Sequence, residues 1–248
     1  MTDNASSPCT PDISILLPVG GTRACLADFL ASIEAAAAGR HVELLCLVRN
    51  TDPTVLAQAP CQTRVFQEDR IFPERPSWGA MINVLLDKAR GRYFMYASDD
   101  IVLMPGSLDA AARAMEASGA AGAAMAYLNM GQEGAHGRFG IDLTLGNKVL
   151  VNYGLLDTQA CRRLGGFSTD YRFYCADGDM CLRLYEAGLA IVPVFEARVE
   201  HHHRVDEVKA ANHAVAERDI ALYRQRFTPR FHDITTVPRL FAPGEDAC

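Results

Sequence analysis

The chain has 248 residues, 24 Lys plus Arg against 30 Asp plus Glu, a formal net charge of -6, and 49% hydrophobic residues. The apolar content is too high for a disordered chain, and the acidic balance argues against a nonspecific nucleic-acid binder. No apolar run reaches the roughly 18 residues of a membrane span, and the length suits one large α/β domain with a small extension.

Residues 1–12 are polar, include Pro8 and Pro11, and have neither a basic nor an apolar stretch. They read as a disordered tail rather than a signal peptide. The eight cysteines form no Cys-x-x-Cys pair and several sit in apolar runs, which predicts free thiols in a reducing cytoplasm. Ile13 to Val19 is a short continuous apolar run, the pattern of a strand covered on both faces. Gly20-Gly21-Thr22 breaks it, and Thr22 is placed to cap a helix carrying Leu26, Phe29, Leu30 and Ile33. Val42 to Val48 is a second such strand, so strand, helix and strand imply a parallel crossover.

Thr63 to Gln67 predicts a short strand, and Glu68 to Ser77 a loop. Trp78 to Ala89 predicts a helix stopped by Gly91, and Tyr93 to Ala97 a third apolar strand running into Ser98-Asp99-Asp100. Pro105-Gly106-Ser107 starts a helix with Leu108, Ala111, Ala112 and Met115 on its apolar side. Ala124 to Leu128 predicts a strand, Asn129 to Asn147 a glycine-rich loop or hairpin, and Val149 to Leu156 another strand. A short helix over Thr158–Leu164, an aromatic loop over Phe167–Ala176 and a helix over Asp177–Ala187 follow. Ala190 to Phe195 reads as a strand, Arg198 to His203 as extended chain, and Asp206 to Phe227 as a long helix before a proline-containing tail. The main domain spans 13–205, with the C-terminal helix and tail over 206–248. The last helix either packs on the core or joins a second copy as a homodimer.

Three clusters carry chemistry. Ser98-Asp99-Asp100 follows a buried strand, and ligands of open parallel sheets bind beyond the carboxyl ends of the strands. Adjacent carboxylates there are either turn residues or metal ligands, for which Mg²⁺ or Mn²⁺ is suited. Asp177 opens a helix, as a cap or as a general base. Asp179, about 200° round the helix from Asp177 by helical geometry, is placed to pair on the helix surface with Arg183. His201-His202-His203 alternate faces on extended chain, so His201 and His203 share one side. They are either a surface cluster or contain a metal ligand, and imidazole beside carboxylate favours Mn²⁺.

With these residues in view, the stretch from Ile13 to His203 resembles family 2 inverting glycosyltransferases of the GT-A fold. Ile13 to Val19 resembles that family's opening strand, and Glu43 to Asp52 its nucleotide-binding second strand. Ser98-Asp99-Asp100 stands at the Asp-x-Asp position. Gly165-Gly166-Phe167, followed by Asp177-Gly178-Asp179-Met180, is the most specific match. The resemblance implies a mostly parallel sheet flanked by helices, the nucleotide-diphospho-sugar transferase fold. It implies a nucleotide-sugar donor, a carbohydrate or other hydroxyl acceptor, and a divalent Mn²⁺ or Mg²⁺ cofactor. Asp177 takes the place of the catalytic base, and Asp100 with His201, His203 next, would hold the metal. Pro18, Val19, Asn50, Asn83, Ser98 and Asp99 would line the donor. The family's base-reading Asp is Asn50 here, an Arg of the phosphate-contacting helix is Ile82, the first Asp of Asp-x-Asp is Ser98, and the Glu before the base is Ala176. These departures leave open a noncatalytic nucleotide-sugar binding or scaffolding module. A nucleotidyltransferase is the other alternative. No Gly-x-Gly-x-x-Gly, P-loop or Gly-x-Ser-x-Gly occurs, which counts against dinucleotide, P-loop and α/β-hydrolase readings.

Overall fold

A computed structural model describes residues 10–20, 25–51, 53–130, 137–202, 214–235 and 238–242. The expected tail over 1–12 therefore lies almost wholly outside the described residues, as do the Thr22 cap, His203 and the first part of the expected 206–227 helix.

β1 (Ile13–Gly20), α1 (Cys25–Ala37) and β2 (Val42–Arg49) form the crossover that the apolar runs imply, with Ile13 beside Val42 and Gly20 beside Arg49. β3 (Gln62–Gln67) and β4 (Tyr93–Tyr96) extend it in parallel on either side. Short helices α2 (Pro53–Leu56) and α3 (Glu68–Ile71) occupy stretches without helical periodicity. The helix α4 (Trp78–Lys88) starts where the Ser77 side chain accepts from the Ala80 amide.

Beyond β4 the sheet becomes mixed. β5 (Ile101–Leu103) leads into α5 (Ser107–Ser118), and β6 (Gly122–Met130) turns back as β7 (Gly140–Thr144). That antiparallel pairing, Tyr127 beside Gly140, fits the hairpin alternative for the described residues on either side of 131–136. The strand expected over 149–156 is two strands, β8 (Lys148–Val149) and β9 (Gly154–Asp157). Gly154, at φ +152, lets β9 approach the Ala123 carbonyl of β6, where a Cβ would lie 2.0 Å from that oxygen. α6 (Thr158–Arg163) and α7 (Ala176–Glu186) then precede β10 (Ile191–His202), one strand with a bulge between Val194 and Arg198 where the sequence suggests two segments. α8 (Ala216–Phe227) and β11 (Arg239–Phe241) close the described chain. The strand order is β11-β7-β6-β9-β4-β1-β2-β3, with β10 joining β5 and β6.

Side-chain alternation divides the core. Ile13, Ile15, Leu17 and Val19 of β1 face α1 and α5, while Leu16 of β1 and Leu45 and Leu47 of β2 face α4, α6, α7 and α8. Leucine-rich packing on both faces is why these strands read as unbroken apolar runs. Buried Glu43 ties the elements beneath the site. It accepts from Ser14 Oγ at 2.7 Å, from the Arg90 amide at 2.7 Å and from Arg64 at 2.9 Å. Burial pushes its pKa up, but these donors outweigh burial and hold the carboxyl below its ordinary range. No helix among the described residues is long and apolar enough to cross a membrane.

Candidate active site

The Ser98–Asp100 turn leaves β4 at its carboxyl end, and the chain re-enters the sheet at once as β5. β5 runs antiparallel to β10, which sets Ile101 beside His201. β10 also runs parallel to β6, with His201 opposite Asn129. These pairings gather Asp100, Asn129 and His201 from three separate segments of the chain. His201 Nδ1 bonds Asn129 Oδ1 at 2.7 Å, and Nε2 lies 3.5 Å from Asp100 Oδ2. With Nδ1–H committed to the amide oxygen, the neutral ring keeps its lone pair on Nε2, the nitrogen that faces the carboxylate. The backbone adds a tether, the His202 amide donating to the Asp100 carbonyl at 2.8 Å.

This donor set fits a divalent cation. Asp100 and His201 are the residues that would hold such an ion, which would supply a Lewis acid at the strand ends. Among the described residues no group of three His, Cys, Asp or Glu side chains forms a fuller cage. Asp99 is buried and Ser98 partly so. The Tyr153 hydroxyl has its pKa pushed up by burial and then by the charge of Asp100.

Asp177 lies in the first turn of α7, after Cys175 in the left-handed region at φ +69. The carboxylate is therefore not the helix cap; it accepts from the Gly178 amide at 2.8 Å inside the first turn. Burial raises its pKa, backbone hydrogen bonds pull it back, and the Asp142 charge raises it further. A carboxyl held this way takes up a proton more readily than an ordinary Asp. Asp142, on β7, accepts from the Tyr127 hydroxyl at 2.6 Å and from Asn152 at 3.1 Å. Its charge acts on Tyr153 as well as on Asp177, and Asp100 also acts on Tyr153. Tyr153 and Asp142 thus link the surroundings of the Asp100–His201 pair to those of Asp177.

The nucleotide-side residues divide. Pro18 is partly exposed, whereas Val19 is buried in the core, so its backbone alone faces the strand ends. Asn50 is exposed at the end of β2 with φ +54, a conformation asparagine tolerates better than most residues. Asn83 is turned away from a donor role. Its Nδ2 donates to the Phe167 carbonyl at 2.8 Å and its Oδ1 accepts from the Phe167 amide at 2.7 Å, clamping the Gly-Gly-Phe turn. Gly166, at φ +75, is pressed so closely on this amide that a Cβ would sit 2.5 Å from Asn83 Oδ1. Ile82, in the place of a family arginine, is core. The surface pairing expected of Asp179 is also corrected. The i,i+4 bond to Arg183 exists at 2.5 Å, but Asp179 is fully buried and also accepts from Arg226 at 2.8 Å and from the Tyr171 hydroxyl at 3.0 Å.

No protein-family model and no curated relative matches the sequence. Solved structures do. Over 89% of this chain, S. aureus TarS superposes with a TM-score of 0.62 at 12% identity, covering 44% of the TarS chain. A second structure, S. aureus TarS 1–349, gives 0.60 at 13% identity over 77% of this chain and 60% of the other. TarS is a GT-A glycosyltransferase. The chain has a GT-A-like fold. It spans less than half the length of the full TarS chain, and at this identity the likeness is one of fold.

Asn129, Asp142 and Tyr153 are site neighbours that sequence reasoning passes over. The available signal for Asn129 is a polar residue right after the apolar run 124–128, at a strand's carboxyl end. Asp142 lies in the glycine-rich stretch and Tyr153 inside the expected 149–156 strand, and only the tertiary pairing brings them to the site.

Proposed function

We propose that the protein is a metal-dependent inverting glycosyltransferase that moves a sugar from a nucleoside-diphosphate donor to an acceptor hydroxyl. The observation that carries this reading is the His201–Asp100 pair, oriented by Asn129, at the strand ends of a GT-A-like sheet. Asp100 and His201 would hold Mn²⁺ or Mg²⁺, which supplies a Lewis acid for the charge that builds on the diphosphate. Pro18, the Val19 backbone and Asn50 offer the nucleobase side, where the Asn50 amide oxygen accepts from the N3–H of a uracil or thymine ring.

In the reaction the bond from the anomeric carbon to the diphosphate oxygen breaks, and its electron pair leaves with the diphosphate. The acceptor oxygen bonds the same carbon from the opposite face, and its proton passes to the Asp177 carboxylate. A single displacement inverts the anomeric centre. The raised Asp177 pKa suits a group that must accept a proton as charge develops on the incoming oxygen.

The test combines calorimetry and turnover. Uridine and thymidine diphosphate are titrated with and without Mn²⁺, then nucleotide sugars are assayed for hydrolysis and transfer. Tighter binding with Mn²⁺, turnover of a donor, and loss of that turnover in Asp177→Asn support the proposal. Nucleotide binding without turnover of any donor favours the noncatalytic module, and release of pyrophosphate from an added nucleoside triphosphate as a sugar 1-phosphate attacks its α-phosphorus favours a nucleotidyltransferase.

A further inference from the structure

The loop before α7 is held by one carboxylate. Asp219 of α8 is fully buried, and its oxygens accept from three consecutive backbone amides, Arg172 at 3.0 Å, Phe173 at 2.8 Å and Tyr174 at 3.0 Å. Arg218 lies 3.4 Å from it and balances part of the charge. Other ties hold the same segment. The Trp78 amide donates to the Arg172 carbonyl at 3.1 Å, and Arg226 pairs with Asp170 at 2.5 Å.

The clamp grips the backbone of these residues and not their side chains. Tyr171 is fully buried and hydrogen-bonded to Asp179, which removes it from any ligand surface. Phe173 and Tyr174 are only partly buried and stack edge to face with centroids 5.0 Å apart. Cys175 follows in its left-handed conformation, and Asp177 comes one residue into the helix. Charge-assisted bonds from a buried acceptor to three adjacent N–H groups are strong and directional. They fix the ring pair relative to the first turn of α7.

The geometry points to Asp219 as a positioning residue that presets the Phe173–Tyr174 pair as the acceptor-side wall next to Asp177, for an acceptor carrying a sugar ring. This deepens the transferase reading above and rests on it. Aromatic rings present broad apolar area at small entropy cost and suit the C–H face of a pyranose.

The test uses the full chain with Mn²⁺, uridine and thymidine diphosphate sugars, and methyl glycosides as acceptor probes. Donor hydrolysis, with water as acceptor, needs Asp177 and the donor site but no acceptor wall. In Asp219→Asn the amide nitrogen faces backbone donors, and exchange at amides 172–174 should accelerate while exchange in β1 and β2 stays as in wild type. The acceptor KM should rise about tenfold with kcat and donor hydrolysis within about twofold of wild type. The double variant Phe173→Ala/Tyr174→Ala, which keeps Asp219, should show the same KM rise without faster exchange at those amides.

Unchanged exchange at 172–174 in Asp219→Asn would overturn the clamp and leave the transferase reading standing. A fall in kcat and hydrolysis together, with acceptor KM unchanged, would overturn the acceptor role. A wild type that hydrolyses donors yet uses no methyl glycoside overturns the sugar-ring class. A wild type that turns over no donor sinks the transferase reading and this proposal with it.

Discussion

Asp179→Asn probes the buried network under α7. The substitution keeps the shape and removes the charge that faces Arg183 Nε at 2.5 Å and Arg226 Nη1 at 2.8 Å. A hydrogen bond to a charged group contributes about 1.5–3 kcal/mol. The guanidiniums are 23% and 34% exposed, and each keeps other partners: Leu164 and Gly166 carbonyls for Arg183, Asp170 for Arg226. Solvent screening therefore places both bonds at the low end, a total loss of about 3 kcal/mol. For a chain of this size that lowers Tm by roughly 6–12 °C. Trp78 is the single tryptophan and packs against Tyr96 and Phe167, so its emission reports unfolding from within the same layer. Urea titration followed at Trp78 should show a lower midpoint with an unchanged slope. A loss under about 1 kcal/mol, the range of exposed pairs, would refute the argument that burial makes this carboxylate structural.

Asn129→Leu should leave the fold intact but weaken Mn²⁺ binding about 10- to 100-fold, since it frees the His201 ring to rotate and to change tautomer; calorimetry with Mn²⁺ alone reads this, and an unchanged affinity would count against His201 as ligand. Asp177→Asn should abolish transfer while making the protein more stable at neutral pH. The sign follows from a folded pKa raised above the unfolded one: protonation favours the folded state, so wild type loses stability as pH rises through that range, and the gap to the variant should close on acidification. Thermal melts between about pH 4 and pH 8 measure it, and a variant less stable than wild type at neutral pH would contradict the burial argument. Gly79→Ala should cost about 1–3 kcal/mol by overpacking, because a Cβ there would lie 2.3 Å from the Ser168 carbonyl; a neutral result in urea unfolding would mean the loop simply yields.

The apolar runs 13–19, 42–48 and 93–97 were legible as buried strands, because burial on both faces leaves no other use for so many branched and aromatic side chains. The Asp177 helix and the extended chain at the histidines were legible too. Short elements were not. α3 and β5 lack enough residues for a period to show, and β8 and β9 run together in sequence because the break over 150–153 stays apolar at Leu150 and Val151.

Sequence by itself determined the crossover frame and the residue types able to carry the chemistry, since hydrophobic period and strand-end carboxylates are local properties. Tertiary structure alone decided which of them meet. The β5–β10 and β6–β10 pairings put Asp100 and Asn129 on His201, while Asn83 went to the Phe167 backbone and Asp179 into the core. Each outcome depends on strand register and helix packing between residues far apart in the chain, where a shift of one position would turn the side chain to the opposite face.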